Sequence, residues 1–365
     1  MTMSSGALFD TRVSARLHIE RPILGAPMGG CAGPDLVAAV SNAGGLGILG
    51  HATLEPDEVL RQIRQTKQLT DKPFGIGLLF PSNDGKPVAA QVPARPLPRF
   101  LEQFVDTHTQ VSEPPKRYDA KTAEQRLEIA IAEGVSVLTL GLGAPAHVIA
   151  RAKAAGMTVI VLVGSRHAAL EVEARGADIL VAQGHEAGGH TGRTSTLVLV
   201  PQVVDAVKIP VVAAGGIVDG RGLAAAMMLG AEGALIGTRL LATPEADTAP
   251  SHKQKIVDMQ DDETLVSRCY TGKPSRVIRN AFTDAWKGHD AALRPMPEQW
   301  DMVAPVVVPA KAKGSIEIAN WPTGQGAALI HDLTPAGDVV HQMMAEAEAV
   351  IRRFCGPGAS GGPGC

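Results

Sequence analysis

Residues 184–192 concentrate groups that could do chemistry, with two histidines, one glutamate and four glycines in nine positions. The apolar residues 179–182 before them predict a buried strand. Parallel α/β proteins place binding and catalytic groups in the loops that follow their strands, and the imidazole of His190 can exchange a proton near neutral pH. We expect Glu186 to anchor the loop by accepting hydrogen bonds from backbone N–H groups. The alternative is a solvated turn whose histidines have no function.

Two more glycine turns follow apolar runs, at residues 213–217 and 236–239. The backbone N–H groups of Gly215, Gly216 and Gly237 and the hydroxyl of Thr238 could bind a phosphate, and the N-terminus of the following helix would add a favourable dipole. In a barrel of eight strands, the ends of strands seven and eight commonly bind phosphate. Plain turn geometry is the alternative, because loops between strands and helices often contain glycine.

The elements that would position these turns are eight strand-like apolar runs, which alternate with helical segments. The runs lie near residues 23, 46, 76, 137, 160, 180, 211 and 235. This alternation predicts an α/β fold, a (β/α)8 TIM barrel with parallel strands. A doubly wound open sheet is the alternative, but no G-x-G-x-x-G motif follows the first strand.

Several segments fall outside this repeat. Residues 80–121 contain seven prolines and interrupt the pattern after the third strand, so we expect an insertion that covers the barrel mouth as a lid. The predicted domains are the barrel over residues 1–245, with that insertion, and a mainly helical C-terminal segment over residues 246–355 that returns to the active site. Within the second, residues 249–292 and 339–354 are expected to be helical. Residues 356–365 are rich in Gly and Pro, which predicts a disordered tail.

The composition suits a globular enzyme, with 45% hydrophobic and 19% charged residues among 365. A net charge of −3 without a basic block argues against nucleic acid as a partner. No apolar run is long enough to span a membrane, and residues 1–21 lack the apolar core of a signal peptide. The four cysteines are scattered and lack the spacing of metal ligands, which predicts a cytoplasmic protein. Cys31 is expected to be a small core residue.

The sequence resembles the nitronate monooxygenases, formerly called 2-nitropropane dioxygenases, which are FMN-dependent TIM-barrel oxidoreductases. The resemblance covers roughly residues 20–350 in one collinear order. The matching stretches are Pro22-Ile23 with Ala26-Pro27-Met28, Ala43-Gly44-Gly45-Leu46-Gly47, Ala182-Gln183-Gly184 with Glu186-Ala187-Gly188-Gly189-His190, Ala214-Gly215-Gly216-Ile217, Gly237-Thr238-Arg239, Tyr270-Thr271-Gly272-Lys273-Pro274 with Arg276 and Arg279-Asn280, and Gly324-Gln325-Gly326 before Leu329-Ile330. Enoyl-acyl-carrier-protein reductases and NADH:quinone reductases share this flavin fold.

The resemblance implies a role for each site residue. The catalytic base would be His190, and His185 and Gln325 would border the substrate pocket. Residues that would bind FMN are Ala26, Pro27 and Met28 against the ring system, Gln183 and Gly188 beside it, and Gly215, Gly216, Gly237 and Thr238 around the phosphate. Many family members carry Asn on the third strand beside the flavin, where this chain has Gly77.

Three functions compete at this point. The first is FMN-dependent oxidation of alkyl nitronates, or of nitroalkanes, by O2 to a carbonyl compound and nitrite. The second is an NAD(P)H-dependent flavin reductase that acts on quinones or enoyl thioesters. The third is a barrel that binds a phosphate ligand without turnover. In each case the partner is a small molecule, and the oligomeric state stays open.

Overall fold

The computed structural model describes residues 8–51, 54–80, 96–105 and 120–355. Within these ranges the strands are β1 (Ile23–Gly25), β2 (Gly47–Gly50), β3 (Phe74–Leu79), β4 (Val137–Gly141), β5 (Thr158–Val163), β6 (Ile179–Gln183), β7 (Gly189–His190), β8 (Val211–Ala214), β9 (Ala234–Ile236), β10 (Thr264–Ser267) and β11 (Ser275–Ile278). The helices are α1 (Arg12–Leu17), α2 (Pro34–Asn42), α3 (Pro56–Leu69), α4 (Ala120–Ala132), α5 (Ala146–Ala154), α6 (Arg166–Ala174), α7 (Thr196–Val204), α8 (Gly220–Met228), α9 (Thr238–Leu241), α10 (Pro250–Val257), α11 (Ala281–Ala285), α12 (Glu298–Ala312) and α13 (Ala336–Cys355).

Eight parallel strands form the barrel, in the order β1-β9-β8-β6-β5-β4-β3-β2. A parallel bridge between Leu24 and Leu46 joins the two ends of this order, with hydrogen bonds from Gly25 N to Leu46 O at 2.9 Å and from Leu46 N to Ile23 O at 2.9 Å. The predicted (β/α)8 barrel is therefore confirmed. Because the short strand β7 intervenes, barrel strands seven and eight are β8 and β9.

The strands alternate between two apolar layers, as a period of two requires. In β4, Val137 belongs to the cluster inside the barrel, whereas Leu138 and Leu140 pack outward against the helices. The other buried members of the inner cluster include Leu24, Leu46, Ile48, Ile160, Ile179, Val181, Val212 and Leu235. These large side chains fill the interior, so a ligand can enter only at the ends of the strands, where the inward positions become smaller or polar.

The C-terminal segment is mainly helical, as predicted, but residues 249–292 are not one helical region. The helical elements described there are α10, α11 and a 3-10 helix at Asp290–Ala292, and the antiparallel hairpin of β10 and β11 lies between α10 and α11. The prediction of one helical region is wrong because β11 pairs with β7, the strand that carries His190. A pairing between segments that are far apart in the sequence has no local pattern that could predict it. The last helix, α13, packs against α8 and α2 on the barrel wall.

The Pro-rich insertion is described only at residues 96–105. A 3-10 helix spans Arg99–Phe104. Leu101 is buried in the C-terminal apolar cluster, and the ring of Phe100 lies 5.2 Å from that of Trp286 in an edge-on arrangement. Most of the expected lid and the predicted disordered tail lie outside the described residues. The domain boundary after residue 245 stays a prediction.

Candidate active site

A cavity of about 710 Å³ opens at the carboxyl ends of the barrel strands. It brings together most of the predicted site residues, although they come from four separate parts of the sequence. Bordering it are Ala26, Pro27, Met28, Gln183, Gly188, His190, Gly215, Gly216, Gly237 and Thr238. His185 and Gln325 are not among the described residues that border it.

The turn after β8 forms one wall of the cavity and is shaped for an anion. Gly215 and Gly216 have φ of 102° and 73°, a left-handed conformation that favours glycine. A Cβ on Gly215 would lie 2.9 Å from Thr196 Oγ1 and 3.0 Å from Gly184 O. Within the described chain, neither glycine N–H has a hydrogen-bond partner. Two free N–H groups in a turn closed to side chains can bind phosphate oxygens.

The turn after β9 forms the facing wall. A Cβ on Gly237 would have Ala26 Cβ at 3.7 Å and Met28 Sδ at 3.8 Å as its nearest contacts, so this position opens toward the cavity. The Thr238 hydroxyl accepts a hydrogen bond from the N–H of Gly324 at 2.9 Å. The C-terminal segment therefore lies over this end of the cavity.

The helix after β8 does not add the expected dipole. Asp219 caps α8 by accepting from Gly222 N at 3.1 Å, and Glu346 accepts from Gly220 N at 2.9 Å. Two carboxylates therefore take the N-terminal N–H groups that a phosphate would need. The prediction of a helix-dipole contribution is wrong here, and the binding capacity of this wall comes from the glycine turn alone.

The loop of residues 184–192 is held from both sides. Glu186 accepts hydrogen bonds from the N–H and the hydroxyl of Thr196, at 2.9 and 3.0 Å, which confirms its predicted role as an anchor. On the other side the buried guanidinium of Arg276 donates to the carbonyl of His185 at 3.2 Å through both Nε and Nη2. A loop fixed at two successive residues can hold His190 in one place.

His190 lies in β7, paired with Ser275 of β11. Its backbone carbonyl accepts from Gln183 Nε2 at 2.6 Å, and its Nε2 lies 3.0 Å from Thr271 Oγ1. Burial, and to a smaller extent the positive charge of Lys273, lower the pKa of His190 from 6.5 to about 4. The imidazole is therefore neutral at neutral pH, and an ammonium group lies in its neighbourhood.

Comparison with known proteins identifies the family of this chain. The family model for nitronate monooxygenase matches residues 10–346. The chain belongs to the nitronate monooxygenase family. It is therefore an enzyme of a family of flavin-dependent oxidoreductases.

The relatives of this chain carry the names of different enzymes. A hydroxy-methyl-oxo-octahydroindene-carboxyl-CoA dehydrogenase of Rhodococcus jostii is 39% identical over 78% of this chain and 69% of its own length. A Staphylococcus saprophyticus protein named "Probable nitronate monooxygenase" is 32% identical over 94% of this chain and 99% of its own. The crystal structure of a nitroalkane oxidase from Streptomyces ansochromogenes has 31% identity and a TM-score of 0.78, covering 94% of this chain and 99% of that one.

The described residues fit a flavin of the kind this family uses. The turn at Gly215 and Gly216 leaves room and free donors for a phosphate. Small residues ring the cavity floor above the filled barrel interior, and the buried hydroxyl of Thr139 faces no hydrogen-bond partner within the described chain. A flat heteroaromatic ring with polar edges suits such a floor.

Two predicted pocket residues, His185 and Gln325, contact the backbone of the loop. His185 Nδ1 lies 2.9 Å from the carbonyl oxygen of Gly192, and the N–H of Gln325 donates to the carbonyl of Glu186 at 2.9 Å. These contacts position the loop that carries His190. Substrate contact by His185 or Gln325 stays a prediction.

Several residues that border the cavity escaped the sequence analysis. Lys273 and Thr139 are two of them, and Lys311, with Nζ 5.5 Å from the centroid of the Trp321 ring, is a third. Cys31 also borders the cavity; it is partly buried and packs against an apolar cluster, in partial agreement with the core position expected for it, and burial raises the pKa of its thiol. Lys273 belongs to the Thr-Gly-Lys-Pro stretch that matches the family, and this match was the one sequence feature that could have pointed to it as a site residue.

Among the described residues, no helix is long and apolar enough to cross a membrane.

Proposed function

We propose that this chain oxidises alkyl nitronates with O2, using FMN, to a carbonyl compound and nitrite. The observation that carries the proposal is the position of the neutral imidazole of His190 and the charge of Lys273 on one cavity with the glycine cradle of Gly215 and Gly216. This arrangement offers a proton acceptor, a cation and a phosphate site around one reaction space. The family membership supports the same reaction.

FMN is the flavin that we assign to the cavity. Its phosphate would lie between Gly215-Gly216 and Gly237-Thr238, and its ring against Pro27 and Met28, next to Gln183 and Gly188. When bound, FMN supplies the two-electron acceptor and the reaction with O2. The protein's own contribution is to hold the ring, position the substrate and manage a proton.

His190 manages that proton through one nitrogen. The Thr271 hydroxyl donates to the carbonyl of Lys273 at 3.3 Å, so its oxygen lone pair accepts from Nε2–H of His190. This assignment leaves the lone pair on Nδ1. A neutral nitroalkane must lose its α-proton before it is readily oxidised, and Nδ1 of His190 is the acceptor that we propose.

Lys273 can balance the negative charge of the substrate. A nitronate is an anion, and the neutral imidazole cannot balance that charge in a partly buried site. The ammonium of Lys273 can do so. A bound nitronate would also favour the protonated form of His190 and raise its pKa.

A second candidate function is a reductase or dehydrogenase that takes electrons from NAD(P)H or passes them to a thioester or quinone. The 39% identity to a CoA-thioester dehydrogenase favours it, as does the position of Lys311 and Trp321 on the same cavity. A cation beside an aromatic ring suits a larger anionic ligand with a flat group.

Aerobic turnover of a primary alkyl nitronate tests the first function. We expect yellow protein with an FMN spectrum, O2 consumption, and release of nitrite and aldehyde in equal amounts. Colourless protein that retains no flavin would favour a phosphate-binding barrel without turnover. Yellow protein that consumes O2 only with NADH or NADPH would favour the second candidate.

A further inference from the structure

Thr139 carries the most isolated polar group at the cavity. Its side chain belongs to β4 and shares the inward face with Val137. The residue is only 1% exposed and borders the cavity, yet its hydroxyl has no hydrogen-bond partner within the described chain. Burying a hydroxyl without a partner costs free energy that the protein recovers only when a ligand provides one.

The neighbouring strand cannot provide a polar group at this level. Gly77 of β3 is paired in register with Thr139, and a Cβ at position 77 would lie 2.2 Å from Pro27 Cβ. No side chain fits there while Pro27 keeps its place. Thr139 is therefore the polar group that this side of the cavity floor can offer.

We infer that the Thr139 hydroxyl donates a hydrogen bond to an acceptor atom on the ring of bound FMN, an inference that rests on the proposed cofactor. Thr139 would then be a cofactor-binding residue. It would donate this hydrogen bond from β4, whereas no side chain at position 77 could donate one from β3. The ring system of a flavin carries carbonyl oxygens and ring nitrogens along one edge, so it can satisfy a hydroxyl in the floor beneath it.

The test compares Thr139→Val and Thr139→Ser by titrating the flavin-free proteins with FMN and by measuring their thermal unfolding. Valine keeps the shape of threonine but removes the hydroxyl. We expect FMN to bind about 3- to 10-fold more weakly to the valine variant, the usual effect of one lost hydrogen bond. Serine should restore the binding. The flavin-free valine variant should be at least as stable as the wild type, because it no longer buries an unpaired hydroxyl.

Thr283→Val is the matched control. Thr283 is also buried, but its Oγ1 accepts from Asn280 N at 2.9 Å in the C-terminal segment. This variant should lose thermal stability and keep the FMN affinity of the wild type. Unchanged FMN affinity in Thr139→Val would overturn the inference, and so would a loss of stability in flavin-free Thr139→Val comparable to that of the control. Failure of the wild type to bind FMN would instead refute the proposed cofactor.

Discussion

Nε2 of His190 lies 3.0 Å from Oγ1 of Thr271, a residue 81 positions further along the chain. In the proposed assignment this contact orients the imidazole and keeps its proton on Nε2. Thr271→Val should therefore lower kcat/KM for a neutral nitroalkane by about 3- to 10-fold, as one hydrogen bond is lost, while bound flavin is retained. Thr271→Ser should restore activity. If the valine variant turns over at the wild-type rate per flavin, the hydroxyl does not position His190.

The proton-transfer role of His190 predicts a difference between two forms of the same substrate. His190→Asn should reduce turnover of neutral nitroalkane by about 100- to 10,000-fold, the usual contribution of a positioned base. Turnover of preformed nitronate should suffer far less, because its α-proton is already gone. Both rates are measured per bound flavin. Equal losses on the two substrate forms would argue against a base, and near-normal rates on both would leave His190 only a role in loop structure.

The charge of Lys273 has two measurable consequences. Lys273→Met should raise KM for the anionic nitronate and leave that of the neutral nitroalkane nearly unchanged. Because the ammonium lowers the pKa of His190, its removal should also raise that pKa. As the pH is lowered, activity that needs the neutral imidazole would then begin to fall at a higher pH than in the wild type. Lys273→Arg keeps the charge and serves as the control; a pH profile that is the same in all three proteins would contradict this role.

The glycine cradle predicts selective loss of flavin. Gly216 and Gly156 both have a positive φ, of 73° and 81°, so alanine strains either backbone to a similar degree. Gly216→Ala also brings a Cβ to 3.3 Å from that of Glu186, whereas Gly156 has nothing within 4 Å. We expect Gly216→Ala to bind FMN at least about 10-fold more weakly, and Gly156→Ala to be destabilised with normal affinity. Equal flavin affinity in both variants would remove the phosphate from this turn.

Much of the barrel could be predicted because local signals agree with it. Pro34 begins α2 and Gly44 follows its end, and β3 and β5 were located correctly from short apolar runs. The glycine turns were also found, because glycine is what their positive φ requires. Strand period and turn chemistry are local properties, and a sequence shows them directly.

The rest of the site depends on contacts that no local pattern contains. Lys273 and Thr271 reach His190 only because β11 pairs with β7, and that pairing crosses a region whose apolar residues suggested a helix. Thr139 is one polar residue within an otherwise apolar strand, where a threonine is unremarkable until its hydroxyl proves to have no partner among the described residues. The caps on α8 come from Asp219 nearby and from Glu346, which lies 126 residues from Gly220.

Anaerobic reduction of the bound flavin tests the central proposal most directly. The purified holoprotein is mixed without O2 with an alkyl nitronate, and separately with NADH and with NADPH, while the flavin absorbance is followed. We predict rapid bleaching by the nitronate and none at a comparable rate by either nucleotide. Rapid bleaching by NADH or NADPH, with no response to the nitronate, would contradict nitronate oxidation and identify the chain as a nucleotide-dependent flavin reductase.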